Sequence, residues 1–296
     1  MTIVTSLKTG SVISFAGGAL EGRGRIDHVA SHEGGWLIIA DSTPFHPVSF
    51  RWPDQPGDRG KIEFGDGTVA EVIDSLTGLV DAGTGALLIG AEAAAIRKNE
   101  GDWHGVVAHI VNSDRNILPY LGAEARFLVD ATQRKGLSAA HTAAHLAAFA
   151  LNEAAAPFWK KDYEDRDTRG RPNFDKAAIE TANITPEAST DVYRLGKSLK
   201  KKGIDRDGLL GQLDSVAGEI NQRITAWLAK DARVTVTPSE GQLDEVRVWR
   251  TELDGAEVSI PCGGTHVAAL SEIGKVNVTL TPTEDGFVMT TRVRTE

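Results

Sequence analysis

The rhythm of hydrophobic and polar positions changes near residue 132. Before it, apolar residues come in short runs: GWLIIA over 35–40, TVAEVID over 68–74 and ALLIG over 86–90, separated by Gly, Asp and Pro. Short apolar runs between turn formers predict strands, and the Gly-Asp-Gly of EFGDGTVAEV predicts a turn between two of them. Several short strands at this spacing predict a small barrel or sandwich. Residues 112–130, NSDRNILPYLGAEARFLVD, form a hinge that ends in one more strand-like run.

Beyond that point the pattern becomes helical. GLSAAHTAAHLAAFALNEAAA, over 136–156, is nearly all Ala, Leu and other small residues of high helix propensity. Ser138 is placed to cap its start and Pro157 to mark its end. Residues 158–176 are charged and turn-rich and predict a loop. Leu209, Leu213, Val216, Ile220 and Ile224 recur at spacings of three and four, one apolar face of a helix within 206–230. Strand-like stretches follow: ARVTVTP, DEVRVWRTE, AEVSIP, GKVNVTLTP and GFVMTTRVR. The expected fold class is α+β: a β-rich domain over 1–132, then a domain over 133–296 with helices packed on an antiparallel sheet.

Composition narrows the function classes. At 296 residues and 41% hydrophobic content the chain suits about two globular domains. No apolar run approaches the roughly 18–20 residues of a membrane span, and MTIVTSLKTGSVISF lacks a signal peptide's apolar stretch. Cys262 is the single cysteine, so no intrachain disulfide forms; together these features favour the cytoplasm. A net charge of −9 argues against a broad nucleic-acid coat, and neither DNA nor a membrane is an expected partner. A local basic patch, RLGKSLKKKG with Arg194, Lys197, Lys200, Lys201 and Lys202, reads first as a solvated helix end before Gly203.

The candidate chemistry lies in two pairs, HTAAH and CGGTH. On a helix, His141 and His145 share a face one turn apart. Alone they read first as a polar surface stripe, and Cys262 alone reads as a small core residue. Gly263 and Gly264 would let the chain fold tightly enough for Cys262 and His266 to reach one ion. Three imidazoles and a thiolate form a donor set that zinc accepts. Four protein donors lean towards a closed, structural site, and HTAAH lacks the glutamate base of HExxH.

These residues sit in longer motifs. IPCGGTHVAALSEIGKV (260–276), VDATQRKGLSAAHTAAHL (129–146) and DSTPFHPVSFRWPDQPGDRGKI (41–62) resemble, in order, segments of the free-standing alanyl-tRNA editing proteins, relatives of the editing region of alanyl-tRNA synthetase. The resemblance covers roughly residues 20 to 296. It implies an N-terminal β-barrel domain like that of translation factors, followed by an α+β zinc-binding domain. It implies one Zn2+ on His141, His145, Cys262 and His266, and hydrolysis of the ester of misacylated tRNA, Ser-tRNA(Ala) or Gly-tRNA(Ala). The partner would be the tRNA acceptor end. A chain of this length without a synthetase module would act in trans. Editing is needed because a hydrophobic alanine pocket rejects an added hydroxyl only about a hundredfold.

By the same resemblance Gln55, Asp58, Arg134 and Thr142 are candidate substrate contacts, and no residue is assigned as the catalytic acid or base. Arg134, with Lys135, reads alternatively as an exposed linker charge, and Ser189 or Thr190 could offer a hydroxyl that recognises serine. The third motif departs from the family: Val48 to Asp54 reads VSFRWPD where a glycine run is usual, and Arg51 and Trp52 there could stack on a base or meet phosphate. Residues 157–205 also differ from compact family members. Two rival expectations follow: a non-catalytic tRNA-binding relative with structural zinc, and a zinc hydrolase of another small aminoacyl ester or amide.

Overall fold

Most strands of the first half of the chain join one eight-stranded antiparallel sheet, while Val12–Ile13 and Ser42–Thr43 pair in parallel in a small separate sheet. The computed structural model describes residues 3–32, 34–96 and 101–294; the extreme ends of the two expected domains lie outside the described residues. Six strands carry the architecture: β1 (Glu21–His32), β2 (Gly35–Ala40), β3 (Gly60–Phe64), β4 (Val69–Asp81), β5 (Trp103–Asn112) and β6 (Glu124–Val129). Their pairing order is β4-β3-β6-β1-β2-β5, and β5 pairs again with β4 from Glu71↔Asn112 to Asp81↔Trp103. The run of pairings therefore returns to its starting strand. Period-two alternation sends Ile26, Ile38, Ile62, Val72, Val107 and Phe127 to one side, where all are buried in a single cluster. Each such side chain contributes roughly 1.5–3 kcal/mol. The Gly-Asp-Gly turn forms as expected: Gly67 has φ 83°, and Phe64 N–H donates to Thr68 O at 2.8 Å.

By compactness the chain divides into two units, one of residues 1–134 with 236–248 and 262–265, the other of 135–235, 249–261 and 266–296. The long helix α1 spans Ala131–Ala155, starting five residues before the expected Gly136. Asp130 is the cap, its Oδ1 accepting from the N–H groups of Thr132 (2.9 Å) and Gln133 (3.1 Å). Ser138 instead lies inside the helix, where its carbonyl accepts from Thr142. Pro157 sits in a 3-10 turn just past the end of α1. Ala139, Ala140, Ala143, Ala147 and Ala150 are all buried, which explains a helix made of small residues: it is packed on several sides.

Four strands form the second sheet: β7 (Ile179–Thr185), β8 (Ala188–Arg194), β11 (Lys275–Pro282) and β12 (Gly286–Arg294), in the order β7-β8-β12-β11, all antiparallel. The expected apolar face is realised in the short helix Arg206–Leu210 and in α2 (Leu213–Leu228): Leu209, Leu213, Val216, Ile220 and Ile224 are all buried. Asn221 on α2 exchanges two bonds with the edge strand β11. Its Nδ2 donates to Val278 O at 2.7 Å, and Val278 N–H donates to its Oδ1 at 2.8 Å. One side-chain amide thus does there what a neighbouring strand would do. Between them β9 (Val248–Leu253) and β10 (Ala256–Pro261) form a hairpin around Asp254 and Gly255, both with positive φ as a type I′ turn needs.

The hairpin β7–β8 is absent from the sequence expectation. Its residues are half polar, and the polar Ser189 and Asp191 face inward beside Tyr193, so a hydrophobicity pattern does not reveal it. Residues 158–176 are largely irregular as expected, closing on a short helix, Phe174–Ala178, capped by Asn173. Among the described residues no helix is long and apolar enough to cross a membrane.

Candidate metal centre

Helix α1 presents His141 and His145 one turn apart with ring centroids 4.8 Å from each other. Strand β10 ends at Pro261, Cys262 follows it directly, and His266 comes four residues later, its ring centroid 4.5 Å from His141 and 5.0 Å from His145. One possible ligand atom from each of His141, His145, Cys262 and His266 lies within 4.8 Å of all the others. Donors about 2.0–2.3 Å from a tetrahedral centre stand roughly 3.3–3.8 Å apart. Small side-chain rotations would bring this group to that spacing. His141 is buried and the other three are half-buried, so the group could hold a metal ion and stay reachable from solvent.

The protonation pattern fits a metal site. His145 Nε2 is buried and has no hydrogen-bond partner, an arrangement that normally costs about 1–3 kcal/mol. Burial, and then the neighbouring His141, push the His145 pKa well below its ordinary value, so the ring is neutral with a lone pair to give. Thr142 sets the tautomer of His266. Its hydroxyl donates its one proton to Ser138 O at 2.8 Å, so at the 3.2 Å contact with His266 Nδ1 it accepts. His266 then carries its proton on Nδ1 and offers Nε2, the outer-shell arrangement that metal-binding histidines favour. Burial pushes the Cys262 thiol up to about 12, the Gly264 N–H opposing that rise and Asp54 adding to it; a metal ion would have to displace the thiol proton.

Sequence reasoning missed Trp249 on β9. It is fully buried, with its ring centroid 5.1 Å from His145 and 6.0 Å from His266, and it forms an apolar backing to the two rings. The alternation in VRVWRTE, which turns Trp249, Thr251 and Leu253 inward, is the signal that could have found it. The expected reason for Gly263 also changes. Neither Gly263 nor Gly264 has positive φ, and a Cβ on Gly263 would meet nothing within 4 Å. At Gly263 the missing side chain leaves open space beside Cys262 instead of turning the backbone.

The four expected substrate contacts are engaged internally. Arg134 is not an exposed linker charge: it is 4% exposed, its Nε donates to Asp58 Oδ1 at 2.9 Å and its Nη2 to Asp58 Oδ2, and it also donates to Ala19 O (3.2 Å) and Pro44 O (2.8 Å). Asp58, fully buried, accepts from His46 N–H as well. Gln55 Nε2 donates to Thr265 Oγ1 at 2.8 Å, and Thr265 N–H donates back to Gln55 Oε1 at 3.1 Å. The first-domain motif thereby grips the loop that carries Cys262. Thr142 is buried and orients His266. Ser189 is also fully buried, its hydroxyl donating to the Asp191 carboxylate at 2.9 Å, while Thr190 is half-buried. Arg51 and Trp52 are exposed. The lysine run forms a short helix, Lys197–Lys202, ending at Gly203 with φ 112°, in keeping with the helix-end interpretation.

No protein-family model matches the chain. It is 27% identical to an alanine–tRNA ligase of Hyphomonas neptunium, over 85% of this chain and 25% of that protein. The chain thus spans about a quarter of the length of the curated relative it matches. This supports a relation to alanyl-tRNA synthetase.

Proposed function

We propose that this chain hydrolyses the ester bond of misacylated tRNA, Ser-tRNA(Ala) first and Gly-tRNA(Ala) second, at a centre where His141, His145, Cys262 and His266 hold one zinc ion. The observation that carries this is the convergence of three imidazoles and one thiol, with the buried His145 Nε2 lacking a hydrogen-bond partner. Similarity to part of an alanine–tRNA ligase supports the substrate class. The closed run of six paired strands fits a β-barrel domain over 1–132, and the remainder fits a zinc-binding α+β domain over 133–296.

When bound, zinc supplies a Lewis acid able to polarise the ester carbonyl. The chain's own residues do the rest of the preparation. Thr142 holds His266 in the Nδ1–H tautomer, and Gln55 fixes Thr265 and with it the Cys262 loop. The open space at Gly263 leaves room for an aminoacyl group on that side of the loop. The reaction consumes water and needs no ATP, and the partner is the tRNA acceptor end, in the cytoplasm where tRNA is charged.

The test is deacylation of Ser-tRNA(Ala) by the purified chain, with metal content measured alongside. The expected result is about one zinc per chain and hydrolysis that is lost on chelation, regained on adding zinc, and abolished in His145→Ala with the fold retained by circular dichroism. Full activity in the metal-free protein would sink the catalytic role of zinc. Four protein donors already fill a tetrahedral sphere, which favours one rival: zinc as scaffold in a tRNA-binding protein. That rival gives tRNA binding with no ester cleavage.

A further inference from the structure

The loop Val48–Asp54 is the part of the third sequence motif that the metal centre does not absorb, and it is anchored at both ends. At one end Val48 is tied to β4: its N–H donates to Ser75 O at 2.8 Å, and its carbonyl accepts from the Thr77 hydroxyl at 2.8 Å and the Thr77 N–H at 3.2 Å. At the other end Gln55, 1% exposed, is locked to Thr265 by two hydrogen bonds. Between these anchors Ser49 Oγ accepts from the N–H groups of Arg51 (3.2 Å) and Trp52 (3.3 Å), and Pro53 and Pro56 restrict the backbone further. The Arg51 guanidinium lies 5.7 Å above the Phe50 ring.

This ordered loop leaves Trp52 44% exposed; no other tryptophan among the described residues is classed as exposed. An exposed indole and an exposed guanidinium on adjacent residues suit a flat aromatic ring with a phosphate attached. That pairing is how unpaired nucleotides are bound. Trp52 is three residues, at most about 10 Å of extended backbone, from Gln55. Gln55 in turn grips Thr265, the residue before His266.

Resting on the hydrolase interpretation above, we infer that Trp52 and Arg51 form a stacking platform for the unpaired 3′ end of tRNA, Trp52 stacking on a base and Arg51 meeting the adjoining phosphate. The loop replaces close backbone approach through glycines with side-chain stacking, and it orients the end that carries the ester.

Binding of uncharged tRNA, intact or trimmed of its unpaired 3′ nucleotides, tests this by fluorescence anisotropy, which needs no hydrolysis. Trp52→Ala should weaken binding of intact tRNA about fivefold to a hundredfold, the usual worth of a base–aromatic stack. Trp52→Phe should restore most of it, and trimmed tRNA should bind all three proteins alike. In deacylation assays the Trp52→Ala loss should fall on KM and not on kcat. Equal binding of intact tRNA by parent and Trp52→Ala would overturn the platform, as would an equal loss on trimmed tRNA. A parent protein that cleaves no ester but shows the binding pattern supports the platform while sinking the hydrolase interpretation alone.

Discussion

Two histidines, His109 in one compact unit and His145 in the other, are handled in opposite ways. In the first, His109 is fully buried with both ring nitrogens engaged: Nδ1 with Ile38 O at 3.0 Å and Nε2 with Thr43 Oγ1 at 2.9 Å. The buried Asp58–Arg134 pair nearby in the same unit is likewise saturated by Pro44, Ala19 and His46. In the second unit, His145 is held between His141, His266 and Trp249 with Nε2 left over. Burial alone therefore does not mark a site. The first arrangement closes on itself and serves the fold; the second leaves a buried ring nitrogen without a hydrogen-bond partner in the chain.

The largest expected effect tests the closed side. Arg134→Ala leaves the Asp58 carboxylate buried without its partner and should cost about 3–5 kcal/mol in urea unfolding, with metal stoichiometry unchanged. A loss below about 1 kcal/mol would mean the pair is not what holds this region together. His109 gives the next effect, through pH. Burial lowers its pKa to about 4, against about 6.5 in the unfolded chain. Between those values the unfolded chain takes up a proton that the folded one refuses. Stability is complete above about pH 6.5 and falls as pH drops towards 4, by roughly 3 kcal/mol in all. Comparing unfolding free energies of the parent and His109→Gln over this window should show the shallower slope in the variant; parallel curves would refute a neutral, saturated His109.

The smallest effect sharpens the open side. Thr142→Val removes the group that fixes the His266 tautomer and should lower metal affinity about 10–100-fold in competition with a chelating dye. Thr43→Val, which removes the equivalent partner of His109, should leave affinity unchanged. If both variants lose metal equally, the division between a closed and an open histidine fails.

Much of the second half was legible from pattern. Gly274–Pro282 and Gly286–Arg294 read as strands because their polar and apolar residues alternate, and β11 and β12 fall there. The apolar face Leu213, Val216, Ile220 and Ile224 read as helix for the matching reason at a period of 3.6. Ser138 does not mark the start of α1, because a cap signal inside an alanine-rich run cannot be told from a helical serine; Asp130, further upstream, accepts the capping hydrogen bonds. The pattern offers Arg134 only as a substrate contact or an exposed linker charge, because its partner Asp58 is 76 residues away in sequence. The hairpin β7–β8 escaped because inward-facing Ser189 and Asp191 satisfy each other, which no hydropathy pattern records.

By itself the sequence determined the local half of the candidate centre. The spacing of four in HTAAH commits two imidazoles to one helix face, and CGGTH commits a thiol and a third imidazole to one loop, because backbone geometry acts over a few residues. Only the tertiary structure decided which polar groups answer one another across the chain. It joined Gln55 to Thr265 over 210 residues, Asp58 to Arg134 over 76, and Thr142 to His266 over 124. Hydrogen bonds and ion pairs depend on distance in space, so the difference between a polar group that completes the fold and one left open for a ligand exists only once the chain has folded.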